Sequence, residues 1–136
     1  MAEVQPVVVH ERDLPVERSG SGGFGAVAWR TLFSGDRTPT GALTVGVADV
    51  PPDATDEPGL HRHEPAEIYY VVQGRGSVVI GDTVHPLEAG SAVFIPPNTW
   101  HVARNTGQET LRLLYVFPTD TFGEVTYEFP ADGSPA

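Results

Sequence analysis

Residues 61–67 read His-Arg-His-Glu-Pro-Ala-Glu. Two imidazoles one residue apart, with a carboxylate four residues after the second, are groups that hold a divalent metal ion through nitrogen and oxygen. In an extended segment, residues i and i+2 share a face, so His61 and His63 aim together. Pro65 cannot donate to a strand ladder and favours a turn or bulge before Glu67. Glu67 then opens a strand-like run, Ile-Tyr-Tyr-Val-Val-Gln, that ends at Gly74. Two imidazoles from one strand and a carboxylate from the next can converge on one point. The same residue types also make an ordinary solvated loop, and a metal site needs a further ligand from elsewhere in the chain.

A second stretch offers that ligand. Gly90 to Asn105 reads GSAVFIPPNTWHVARN: a strand, a double-proline turn, then His101 on the strand that follows. Taken together, the two stretches resemble the paired signature of the cupin superfamily. His61, His63, Glu67 and Gly74 fall at the spacing of its first motif, and Gly90, Pro96, His101 and Asn105 at that of its second. Two positions depart from the pattern. The first motif's leading glycine falls at Thr55, with Gly59 nearer the histidines, and the second motif's internal glycine is Asn98. Asparagine tolerates the left-handed turn conformation better than most residues. Neither departure touches a ligand.

The resemblance covers about residues 40–118 and implies an all-β fold, a double-stranded β-helix (jelly-roll or cupin barrel) with an N-terminal arm. It implies His61, His63, Glu67 and His101 as ligands of one divalent transition metal per chain. Iron, manganese, nickel, cobalt, copper and zinc all suit three imidazoles and a carboxylate. The activity it implies is that of a metal-dependent enzyme on a small polar organic substrate. Two chemistries fit: O2-dependent oxidation of a dioxygenase type, or Lewis-acid isomerisation or elimination. The alternative is a non-catalytic, metal-anchored binding or sensing barrel. Members of this size also imply a homodimer, with the Gln5–His10 segment a candidate for exchange between subunits.

Parity sorts the remaining polar and aromatic residues. Tyr69 shares a face with Glu67 and is a candidate proton donor or substrate contact, although aromatics more often supply a packed wall. Tyr115 on a later strand is a second candidate. Arg30 and Arg112 could grip a carboxylate if they faced inward, but charged residues usually face solvent. Trp100 has the opposite parity to His101 and is expected behind the site. His10 and His85 have no partners at ligand spacing and read as surface residues. The acidic loop 53–57 could gate access, or be simply solvated. No nucleophile elbow, phosphate-binding loop or dinucleotide fingerprint is present.

Composition narrows the classes around this site. A chain of 136 residues suits one domain, with 40% apolar and 19% charged residues. The net charge, 8 − 18 = −10, argues against nucleic acid and anionic membrane surfaces as partners. All eight basic residues are arginine, so lysine Schiff-base chemistry is excluded, and the lack of cysteine removes disulfides and thiolate ligands. No leader or spanning segment is visible, which makes the cytoplasm the expected location.

Fifteen glycines and thirteen prolines punctuate a series of short strands, the mark of a sandwich or barrel. Strands are expected at 26–33, 42–50, 67–73, 77–80, 83–87, 91–95, 100–105, 111–117 and 125–129, with a further edge strand at 5–10. Gly81-Asp82 is a two-residue hairpin signal. The organisation read from this is an arm and linker at 1–25, including the flexible Ser19–Gly25 connector, a single barrel at 26–130 and a tail at 131–136.

Overall fold

The computed structural model describes residues 4–19, 23–52 and 57–131. Among the described residues nine strands form: β1 (Glu17–Arg18), β2 (Ala28–Phe33), β3 (Thr44–Val50), β4 (Glu67–Gln73), β5 (Arg75–Ile80), β6 (Thr83–Glu88), β7 (Ala92–Ile95), β8 (His101–Asn105) and β9 (Leu111–Phe117). All pairings are antiparallel, in a six-stranded sheet ordered β1-β2-β3-β9-β4-β7 and a three-stranded sheet ordered β6-β5-β8. The architecture is the expected jelly roll. No helix among the described residues is long and apolar enough to cross a membrane.

The alternation read from the sequence decides which side chains meet. In β9, Leu111, Leu113, Tyr115 and Phe117 are buried while Arg112, Leu114 and Val116 between them are only partly so. In β4, Glu67, Tyr69 and Val71 turn inward and Ile68, Tyr70 and Val72 outward. Val78, Ile95 and Val102 close the core from the other strands. Gly74 carries the chain from one sheet to the other at φ +91°, where a Cβ would collide with the Thr110 carbonyl. Gly81 turns the β5–β6 hairpin at φ +63°, with Ile80 and Thr83 paired across it. Asn98 takes the left-handed conformation expected of it, at φ 57°.

Two expected strands do not form. Residues 5–10 are extended without a ladder, and Val8 is 94% exposed. Among the described residues the start of β2 pairs with the two-residue β1, and no ladder includes residues 5–10. Residues 125–129 make a single bridge, Glu128 with Arg62, instead of a strand. This segment runs across the barrel mouth, so it meets one residue of the histidine segment and not a parallel length of it. Residues 20–22 of the expected connector, Asp53–Asp56 of the acidic loop and most of the 131–136 tail lie outside the described residues.

Candidate metal centre

His61 and His63 flank Arg62 on a short extended segment held to two neighbours. Its His61 exchanges backbone hydrogen bonds with His101 (3.0 and 2.8 Å), and Arg62 exchanges a pair with Glu128 (3.0 and 2.9 Å). The Asn98 amide donates to the His63 carbonyl at 2.8 Å, which ties the double-proline turn to the same segment. Glu67 opens β4 and faces this group from the six-stranded sheet. His61, His63, Glu67 and His101 are all buried. One ring nitrogen from each of the three histidines lies within 4.8 Å of the other two, so the three could hold a metal ion. Glu67 Oε1 is 3.1 Å from His63 Nε2 and 3.3 Å from His101 Nε2.

The protonation of these rings is set by the backbone. Nδ1 of His61 faces the Gly59 carbonyl at 2.7 Å, Nδ1 of His63 the Pro65 carbonyl at 2.8 Å, and Nδ1 of His101 the Thr99 carbonyl at 2.8 Å. A carbonyl only accepts, so each Nδ1 carries a hydrogen and donates it. In the neutral rings every Nε2 is then a bare lone pair. On His63 and His101 that lone pair points at a carboxylate oxygen, an arrangement that repels unless a proton or a cation lies between. A backbone carbonyl on the far nitrogen is also how metal-bound histidines are commonly oriented.

Electrostatics agree with this reading. Burial lowers the pKa of His61 to about 4, helped by the neighbouring His101. Burial also works against charge on His63, but the hydrogen bond and charge of Glu67 outweigh it and raise the His63 pKa. Burial alone would raise the Glu67 pKa, yet the hydrogen bonds from His101 and His63 hold it below the ordinary carboxylate value. Without a metal, a proton between Glu67 and His63 would fill the gap, while burial keeps His61 neutral.

A stability test follows for metal-free protein. Unfolded His61 titrates near 6.5 and folded His61 near 4. Between these values the unfolded state binds the extra proton, so the His61 contribution is fully present above about pH 6.5 and is lost as pH falls toward 4. The expected loss is roughly 3 kcal/mol. Thermal unfolding from pH 7.5 to 4 should show this slope in the chelator-treated wild type, and His61→Asn should flatten it. Equal slopes in both proteins would mean that His61 is not the group responsible.

The remaining wall of the cavity mixes aromatic rings with aliphatic side chains such as Val27, Val50, Val102 and Leu113. Phe24, Trp29, Tyr69, Tyr115, Phe122 and Tyr127 line it together with His61 and Glu67. Tyr69 stands 6.3 Å from His101 between ring centroids. Tyr115 lies flat across β3 because its strand partner is Gly46, where any Cβ would collide with the Tyr115 hydroxyl. The Tyr115 oxygen is thereby buried without a hydrogen-bond partner. Tyr127 packs on His61 and His63 at 5.4 and 5.2 Å. Burial pushes the phenol pKa of Tyr69 and of Tyr127 well above the ordinary value, and that of Tyr115 up as well.

Tyr69 and Tyr115 thus both reach the cavity. Arg30 and Arg112 do not line it: Arg30 donates to the Glu11 carbonyl, and Arg112 pairs with Glu11 and Asp49. Trp100 lies under the Arg62 guanidinium at 4.6 Å, outside the cavity wall. His10 and His85 are exposed. Of the acidic loop, the described Glu57 pairs with Arg104 at 2.7 Å. Sequence reasoning missed Phe24, Phe122 and Tyr127. No motif spacing marks them, since they reach the cavity from segments outside the ladders.

Residues 46–117 match the family described as the cupin domain. The chain is 32% identical over 126 residues to dimethylsulfoniopropionate lyase DddW of Ruegeria pomeroyi, covering 93% of this chain and 81% of that protein. It is 31% identical over 119 residues to an oxalate-binding protein of Thermotoga maritima, covering 85% and 97%. The solved structure of the polyketide cyclase RemF from Streptomyces resistomycificus superposes with a TM-score of 0.74 at 22% identity, over 95% of this chain and 89% of that one, a likeness of fold.

Proposed function

Because this chain belongs to the cupin family, we propose that it is a metal-dependent enzyme of the lyase type, removing a proton and a leaving group from neighbouring carbons of a small carboxylate. The observation that carries the metal half of this reading is the set of imidazoles with anchored Nδ1–H groups, two of whose bare Nε2 atoms face Glu67. His61, His63, Glu67 and His101 would hold the ion, the same four residues that the two sequence motifs supply. Bound there, a divalent cation would polarise a substrate carboxylate and make the adjacent C–H bond more acidic.

The chain's own residues supply the rest. Tyr69 shares the inner face of β4 with Glu67 and is the candidate base: as a phenolate, a form that burial disfavours unless a cation is bound nearby, its Oη would take the substrate proton. Tyr127 covers the His61 and His63 rings and keeps bulk water from them. Tyr115, lying over Gly46, backs the cavity one strand away. Elimination is supported over oxidation by the lyase named among the relatives and by the buried phenol of Tyr69 beside His101.

The test is product analysis with metal-loaded protein. Dimethylsulfoniopropionate and a panel of 3-substituted propanoates would be incubated in air and under nitrogen, with alkene formation followed by NMR. Equal rates in both atmospheres are expected for at least one member. Alkene formation from none, or turnover that ceases without oxygen, would overturn the reading. The binding-only alternative draws on the oxalate-binding relative; it predicts saturable binding of oxalate with no consumption of any panel member.

A further inference from the structure

Four rings in the cavity wall form a closed circuit. Phe24 meets Trp29 at 5.8 Å and 77°, Trp29 meets Phe122 at 6.4 Å and 63°, Phe122 meets Tyr127 at 6.2 Å and 70°, and Tyr127 meets Phe24 at 4.7 Å and 83°. Each ring is thus steeply inclined to both of its neighbours, and all four line the same space. Their order in the chain is no help in seeing this: Phe24 precedes β2, Trp29 lies in it, and Phe122 and Tyr127 follow β9. A planar, near-square quadrilateral with such sides would have its centre roughly 4 Å from each centroid, within the ~6 Å reach of a cation–π contact.

The charges around this circuit point the same way. No arginine lines the cavity, and the chain has no lysine. The anionic group of the wall is Glu67, and the whole chain carries −10. An anionic or strongly hydrated group would meet no counter-charge among the rings and would lose its water there. A soft cation with its charge spread over methyl groups loses little hydration and gains the negative faces of the rings. Size adds a limit: the cavity holds about 80 Å³, below the roughly 150 Å³ of an apolar cavity that takes up benzene, so the rings must part to admit a methylated head of similar bulk.

We propose that the Phe24–Trp29–Phe122–Tyr127 circuit, whose Phe24 and Tyr127 also pack on His61, is a binding site for a small onium group, a methylated ammonium or sulfonium, at the end of the substrate opposite its carboxylate. The proposal rests on the metal-enzyme reading only in placing a carboxylate at the other end of that substrate; the cage itself stands on the four rings.

The test compares a cation with its uncharged isostere. Zinc-loaded protein would be titrated with 3-(trimethylammonio)propanoate and with 4,4-dimethylpentanoate, which replaces the nitrogen by carbon, and Trp29 would be followed through its indole N–H resonance. The chain has two tryptophans, so the signal is assigned by Trp29→Phe. The onium acid is expected to bind at least about tenfold more tightly than the isostere. Trp29→Leu and Tyr127→Leu should each bring that ratio toward one, while Trp29→Phe, which keeps an aromatic face, should retain part of it. Equal binding of the two acids, or a ratio unchanged in both leucine variants, would overturn the cage.

Tetramethylammonium, which has no carboxylate, separates this outcome from a failure of the metal reading. If it shifts the Trp29 resonance in both wild type and His101→Ala, the cage stands whatever the histidines bind. If it shifts the resonance in neither, the cage falls even where the acids bind through the metal. Thermal unfolding of the two leucine variants checks that they fold; should either fail, the isostere ratio in wild type and Trp29→Phe still decides.

Discussion

Protein purified without chelator should carry about one equivalent of a divalent transition metal, and His61→Ala and His101→Ala should each retain less than roughly a tenth of it. The expectation rests on geometry that offers no second cluster of such donors among the described residues. The three ring nitrogens lie within 4.8 Å of one another, and each ring is held in place by its own backbone carbonyl. Removing His101 also leaves Glu67 with one histidine instead of two, in a site where the carboxylate is 5% exposed. The His101 variant should therefore lose metal and also leave the buried Glu67 carboxylate one hydrogen-bond partner short in the metal-free form. Elemental mass spectrometry beside thermal unfolding reads both effects. Metal in the wild type that persists in both alanine variants would place the ion elsewhere. A wild type that takes up none of the six candidate ions would remove the metal from the account altogether.

Tyr69→Phe should lower kcat by roughly 10²–10⁴ while metal content and ligand affinity stay near wild type. Tyr69 is buried at the inner face of β4, two residues from Glu67 and beside His101. Deleting one hydroxyl removes a proton carrier without emptying the wall, since the ring remains. Tyr115→Phe provides the contrast. Its hydroxyl is enclosed over Gly46 and has no hydrogen-bond partner, so its loss should cost far less activity and leave stability unchanged or improved. A Tyr69 variant with full turnover would shift the proton-transfer role to Tyr127, the other phenol that packs on the histidines. An equal loss in both variants would point to the shape of the wall instead of a particular hydroxyl.

These expectations depend unequally on sequence and on fold. The histidines could be read directly, because a strand has a period of two and a metal needs donors of fixed type. His61 and His63 had to share a face, and His101 stood at motif spacing from the double-proline turn. Gly74 and Asn98 were also legible, since the backbone conformations they adopt are ones most residues avoid. The ladders β4 and β9 run over the residues expected, with their alternation intact. The segments at 5–10 and 125–129 read as strands by the same rule and are not. Their composition suits a strand, but a strand also needs a partner edge, and no local pattern records whether one is free.

The sequence by itself determined which three histidines and which carboxylate could stand together, the strand periodicity that turns Glu67 and Tyr69 to one side, and the absence of lysine and cysteine from any chemistry here. Those follow from residue type and short spacing. Only the tertiary structure decided that Arg30 and Arg112 lie outside the cavity, that Tyr115 lies down over Gly46, and that Phe24, Trp29, Phe122 and Tyr127 close a circuit of rings. The reason is physical: each of these depends on which segment crosses which, over separations of tens of residues, and side-chain contacts at that range are fixed by the packing of the two sheets and of the segment across their mouth.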